Sequence, residues 1–188
     1  MNQNLISRYL RELKDILPIE KIRLYKDEIN IQIRLDDLSN VLIFLKHHNN
    51  CQYKSLTHIA GVDYLQRDKR FEVIYELLSI RYNSRIRVKI TLSQLELVES
   101  CEKIYPGANW FECEVFDMFG IFFSSHSNLR RLLTDYGFEG YPLRKDFPLS
   151  GFVELKYNDK QKRIVSEYLE LAQEYRTFDF ITPWNKNK

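Results

Sequence analysis

The chain has 188 residues, in which 28 Lys and Arg nearly balance 26 Asp and Glu for a net charge of +2. That length holds one good core, or a smaller core and a tail, and the mixed signs give no broad cationic face of the kind that drives phosphate binding. Cys51, Cys101 and Cys113 are widely spaced with no CxxC pair, which argues against a disulfide framework, a structural zinc or a cysteine-held cluster, and apolar runs such as VLIFL at 41–45 fall far short of the roughly 20 residues that span a bilayer.

At the start, Leu5, Ile6, Tyr9, Leu10, Leu13, Ile16 and Leu17 keep a helical period that Pro18 stops. Because these apolar positions belong to a core-facing helix and Glu12 and Asp15 accompany Arg8 and Arg11, the stretch does not read as a secretory or transit peptide. Ile22 and Leu24, then Ile29, Ile31, Ile33 and Leu35, alternate with polar residues around Lys26-Asp27, the pattern of a half-buried hairpin. Asp36 or Asp37 is placed to cap a second helix through Leu38, Val41, Leu42 and Leu45. Tyr53 to Val62 is strand-like, and FEVIYELLSIRY at 71–82 pairs with IRVKITL at 86–92 across Asn83-Ser84-Arg85. Ser93 predicts a third helix running to about Tyr105, before Pro106-Gly107.

The next stretch, 110–151, organises the rest. Asn109 as N-cap and Glu112 three positions on form a variant capping box, predicting a helix from Trp110 with Phe111, Val115, Met118 and Phe119 on its apolar stripe and Gly120 as its left-handed end. Glu112, Glu114 and Asp117 flank that stripe, and Arg130, Arg131, Arg144 and Lys145 supply cations downstream, so an ion-pair lattice is expected, chiefly with Arg130 and Arg131. Gly140, Pro142, Pro148 and Gly151 bound a stiffened loop in which the planar fork of Arg144 suits a carboxylate, either Glu114, Asp117 or a group on a partner, and Asp146 takes the opposite role. The order of elements is that of an α+β fold, a mainly antiparallel sheet with helices on one face. It divides into a core domain, 1–151, and an extended tail, 152–188. The tail carries bulky anchors at Phe152, Tyr157, Tyr168, Tyr175, Phe178, Phe180 and Trp184 without a strong period, which marks it as partner-binding.

Catalytic motifs are scarce. His47 and His48 are adjacent and lack the i, i+4 spacing of a helical zinc site, His58 suits a sheet surface, and there is neither GxGxxG nor GxxxxGK[ST]. His126 beside Ser124, Ser125 and Ser127 has no nucleophile elbow, so a loop-closing hydrogen bond is the favoured role. Two other functions remain in view: a hydrolase using His126 with Glu114 and Asp117, and a weakly basic RNA-binding module, which the interleaved Asp135, Glu139 and Asp146 oppose.

The stretch from Glu112, ECEVFDMFGIFFSSHSNLRRLLTDYGFEGYPLRKDFPLSG, resembles the signature of the 30-kilodalton subunit of respiratory complex I, also called subunit 9 of NADH:ubiquinone oxidoreductase. VDYLQRDKRFEVIYELLS at 62–79 and FDFITPW at 178–184 extend the likeness more loosely. The chain departs from the family at Cys113, where Arg usually separates the two glutamates, at Phe116, often Trp, and at Ser127, commonly Pro. The resemblance implies a non-redox-centre scaffold subunit of the enzyme's peripheral arm, with FMN, iron–sulfur clusters, NADH and ubiquinone held by other subunits. It implies the 49-kilodalton subunit as main partner, no nucleic acid, and membrane association only through the complex, at the matrix side of the mitochondrial inner membrane. The scarcity of Gly and Ala beside abundant Ile, Asn, Lys, Phe and Tyr suggests an AT-rich mitochondrial gene. On this reading Glu112, Glu114, Asp117, His126, Arg130, Arg131, Asp135, Arg144, Lys145, Asp146, Phe178 and Trp184 serve structure and interface.

Overall fold

A computed structural model describes residues 3–26, 28–171, 173–178 and 180. The chain divides into two compact units, Met1–Phe147 and Pro148–Lys188.

The first unit opens with α1 (Gln3–Ile16), whose Leu13 is buried, followed by β1 (Ile19–Tyr25) and β2 (Glu28–Ile33) in an antiparallel hairpin. Lys26, at φ 49°, takes the left-handed turn position. A single 3₁₀ turn, Leu35–Asp37, leads into α2 (Leu38–His47), which buries Leu38, Val41, Leu42 and Leu45. Asp37 stands at its N-cap but makes no side-chain cap. Next come β3 (Ser55–Asp63), β4 (Phe71–Ser79) and β5 (Ser84–Leu92).

These strands form one sheet in the order β1-β2-β5-β4-β3, antiparallel except for the β2–β5 pair. Period-2 alternation drives Ile29, Ile31 and Ile33, Phe71, Val73, Tyr75 and Leu77, and Ile86, Val88, Ile90 and Leu92 into a single core with the helices. The opposite face keeps Asn30, Gln32, Glu76, Arg87 and Lys89 outward. The α+β class and the mainly antiparallel sheet expected from the sequence are therefore the observed architecture.

One predicted element is absent. In place of a third helix from Ser93, the segment makes a turn, with Glu96 accepting the Ser93 N–H at 2.6 Å, and then β6 (Val98–Glu99), which runs parallel to β7 (Phe123–Ser124). The Val98 and Ser100 amides go to the carbonyls of Phe122 and Ser124, so the backbone satisfies itself across the chain rather than along it. Leu95 and Leu97 face solvent.

The helix α3 (Ala108–Phe119) packs on β3. A Cβ at Gly61 would stand 2.6 Å from the Phe119 ring, so the absence of a side chain on β3 sets how closely the helix approaches.

The second unit contains regular structure among its described residues. β8 (Val153–Asn158) and β9 (Arg163–Tyr168) form an antiparallel hairpin whose turn is held by Asn158 Oδ1, accepting the amides of Lys160 and Gln161. Alternation in VELKYN and RIVSEY, read by period 2 rather than 3.6, accounts for it. Val153, Leu155, Tyr157, Ile164 and Tyr168 share one face and are all 54–87% exposed, while Lys156 and Glu167 pair on the other at 3.6 Å.

Candidate functional site

The site is built on α3 and the loop that follows it, 120–147. The helix starts two residues earlier than expected: its N-cap is Gly107, without a side-chain cap. Asn109 instead donates to Glu102 (2.9 Å) and Ser127 (3.1 Å), and Glu112 turns inward, so the anticipated capping box does not form. The other end is as expected, Gly120 at φ 71° closing the helix with its amide on the Phe116 carbonyl.

Glu112 and Asp117 do not flank the stripe; both are fully buried. Glu112 accepts the Ser100 hydroxyl at 2.6 Å, the Cys101 amide at 2.8 Å and the Cys101 thiol at 3.1 Å. Burial, with the Glu112 charge beside it, pushes that thiol well above its ordinary value, so Cys101 stays protonated and donates. His126 Nε2 lies 3.8 Å from Glu112 Oε2 and 3.3 Å from the Asn109 carbonyl, and Nδ1 accepts the Asn128 amide at 3.1 Å. The Asn128 N–H fixes Nδ1 as acceptor, leaving the proton on Nε2 for Asn109. The histidine closes the loop onto the helix, and its ring makes no hydrogen bond to Ser124, Ser125 or Ser127, so no nucleophile and base pair is assembled.

Asp117 organises the loop. It accepts the amides of Leu132 (3.1 Å), Leu133 (2.7 Å) and Thr134 (3.0 Å), the Thr134 hydroxyl (2.8 Å) and Arg131 Nη1 (3.1 Å). Burial pushes its carboxyl up, but the Thr134, Leu133 and Leu132 donors outweigh that and hold it below the usual range. Of the expected lattice, Arg131 meets Asp117; Arg130 is exposed and Glu114 half-buried, and neither has an ion pair among the described residues. Cys113 points to the loop, its sulfur 3.5 Å from the Asn128 carbonyl, so neither glutamate depends on a cation at that position.

Arg144 does not pair with Glu114 or Asp117. Its Nε donates to the Phe119 carbonyl at 2.5 Å and an Nη reaches the Gly120 carbonyl at 3.5 Å, while the Leu143 amide takes the Met118 carbonyl at 3.1 Å. The orphan carbonyls of the helix end compete for the guanidinium and win, since they lie within its reach and carry the negative end of the dipole. The guanidinium is centred 4.5 Å from the Tyr141 ring and 5.2 Å from that of Phe71. A Cβ at Gly120 would come within 2.6 Å of both Arg144 and Tyr141.

Sequence reasoning missed Asp63 and Arg70. Arg70 forks the buried Asp63 (2.7 and 2.8 Å) and also Asp146 (2.8 and 3.1 Å), and Asp63 accepts the Lys145 amide at 2.8 Å. The Arg70 hydrogen bonds hold both carboxyls low. This stitches the RKD segment to the β3–β4 connection, the Lys145 side chain staying exposed. Asp135 accepts its neighbour's amide, from Tyr136, in an exposed turn. Phe178 is exposed with its ring 6.3 Å from Phe180, and Trp184 lies outside the described residues.

The family model for the respiratory-chain NADH dehydrogenase 30 Kd subunit matches residues 31–153. The chain belongs to this 30-kilodalton subunit family. A relative from Brucella ovis, named as a subunit of NADH-quinone oxidoreductase, is 53% identical over 180 residues, 95% of this chain and 88% of that protein. One from Reclinomonas americana, NADH-ubiquinone oxidoreductase subunit 9, is 49% identical over 168 residues, 89% of this chain and 82% of the relative. A chain of the membrane-bound sulfane sulfur reductase, an archaeal respiratory membrane complex, shares the fold with a TM-score of 0.69 at 21% identity, over 93% of this chain and 100% of that one. Other subunits of the NADH dehydrogenase complex are thus the partners of a 30-kilodalton subunit such as this.

Proposed function

We propose that this 30-kilodalton subunit is a positional component of the peripheral arm of proton-pumping NADH:ubiquinone oxidoreductase. It holds neighbouring subunits in place while electrons pass from NADH to ubiquinone through FMN and iron–sulfur clusters carried elsewhere in the complex. Its main neighbour is the 49-kilodalton subunit, and it works on the matrix side of the mitochondrial inner membrane, the product of a mitochondrial gene. The subunit 9 name of the Reclinomonas relative supports that type. Among the described residues no helix is long and apolar enough to cross a membrane, in keeping with attachment through other subunits.

The observation that carries this reading is the face made by Val153, Leu155, Tyr157, Ile164 and Tyr168. A two-stranded hairpin alone is marginal in water, and an apolar face of this kind gains stability only when a partner removes it from solvent. Docked on a neighbour, it anchors the chain, while the loop locked to α3 by Asp117 and Arg144 presents Leu133, Tyr136 and Leu143 in fixed positions.

The test is Leu155→Asp combined with Ile164→Asp, with Lys156→Ala on the opposite face as control. The double variant should deplete fully assembled complex on a native gel and the control should not. Normal assembly of the double variant removes the hairpin from the interface and overturns the reading.

A further inference from the structure

The open face of the sheet is not used by the site described above, and it carries an unbalanced charge. Lys21, Arg23, Arg67, Arg87 and Lys89 line a cleft of about 660 Å3 there. Register sets them in two rows across the strands: Arg23 of β1 opposite Asn30 of β2 and that opposite Arg87 of β5, and Lys21 opposite Gln32 and that opposite Lys89. Each row therefore reads cation, amide, cation. Arg87 is met by Glu76 (2.5 Å) and Glu28 (3.8 Å), and Glu72 by Lys89 (2.8 Å) and Arg67 (3.6 Å). Lys21 and Arg23 have no carboxylate partner among the described residues, and both are exposed. Two cations are thus left over, at the edge strand where a chain from outside can enter.

We propose that this cleft seats an acidic segment of a neighbouring polypeptide in the assembled complex. The spacing suits a short extended stretch: at about 4.8 Å per strand the cleft crosses the width of three to four strands, the length of roughly four to six residues. Carboxylates of such a segment meet Lys21 and the planar fork of Arg23, while the Gln32 amide, and that of Asn30, whose Nδ2 also donates to the Glu28 carbonyl at 3.3 Å, lie between the cationic ends of each row and face its backbone. Nucleic acid is disfavoured because Glu28, Glu72 and Glu76 are interleaved among the cations and would face a phosphate backbone. A lipid surface is disfavoured because the cations sit in a concavity rather than on a projecting face. The proposal rests on membership of the complex, not on the docking of the β8–β9 hairpin.

The test uses the purified complex. Carbodiimide, which joins an amine directly to a carboxylate, should couple Lys21 to a Glu or Asp in an acid-rich stretch of another subunit, and acetic anhydride should label Lys21 far less in the complex than in the free full-length chain. Lys21→Glu with Arg23→Glu should abolish the coupling and loosen that neighbour at raised salt while this chain stays in place; Lys21→Gln with Arg23→Gln should do so in part. A loss of hairpin docking depletes the whole complex instead, so the two failures are distinguishable. Labelling of Lys21 as strong in the complex as in the free chain overturns the proposal. So does protection without any cross-linked polypeptide that nuclease or removal of lipid reverses, which would identify a phosphate-bearing occupant.

Discussion

Arg144→Ala probes how the signature loop is held. The side chain gives one charge-assisted hydrogen bond to the Phe119 carbonyl, worth about 1.5 to 3 kcal/mol. It also complements the C-terminal end of α3, about 0.3 to 1 kcal/mol, and contacts two aromatic rings at about 0.5 to 1 kcal/mol each. Together these give a loss of about 3 to 6 kcal/mol, a large part of the about 5 to 15 kcal/mol by which domains are stable. Arg144→Lys keeps the charge but neither the fork nor the stacking plane, and should lose about half as much. The assay is the urea midpoint of the full-length chain at constant m. Because the partners are carbonyls, Glu114→Gln should add to Arg144→Ala within about 0.5 kcal/mol. An Arg144→Ala loss below about 1 kcal/mol, or strong coupling to Glu114, would refute the carbonyl assignment in favour of a surface ion pair.

Two further outcomes follow from the buried carboxylates. Arg70→Ala leaves Asp63 buried without its partner and should cost about 3 to 5 kcal/mol by urea unfolding, whereas Asp146→Ala, at a half-exposed partner, should cost at most about 1 kcal/mol; equal effects would contradict the asymmetry. Asp63, Asp117 and Asp146 all have carboxyls held below the unfolded value of about 3.9, so in acid the unfolded chain binds protons first. Their contribution is fully present above about pH 5 and is lost as pH falls through the lowered folded values, and Asp63→Asn should flatten the slope of stability against pH below about 4; an unchanged slope would count against Asp63 as a source.

Elements whose information is local are legible in the sequence. The period of Leu38, Val41, Leu42 and Leu45, and the alternation on either side of Lys26, each point to one structure because burial of a single face decides it. Val98 to Ser100 is not legible, since its bonds go to a strand about 25 residues later and Ser93, a good helix cap by type, instead opens a turn closed by Glu96. The fold brings Arg70 to Asp146 across 76 residues and Asp63 to the Lys145 amide across 82, which no spacing rule reveals. For Arg144 the residue type alone announces a planar donor, but its acceptors, the carbonyls of the α3 end, exist only because the helix stops at Gly120, and no carboxylate count points to them.

The central claim, that the second unit anchors the chain in the complex, is tested most directly by ending the chain after Gly151 and measuring fully assembled complex on a native gel together with NADH-dependent quinone reduction. The described core elements of the first unit all precede that cut, so the shortened chain should keep its folded circular dichroism spectrum yet leave the complex depleted and quinone reduction lost in proportion. Assembly and activity equal to those of the full-length chain would contradict it.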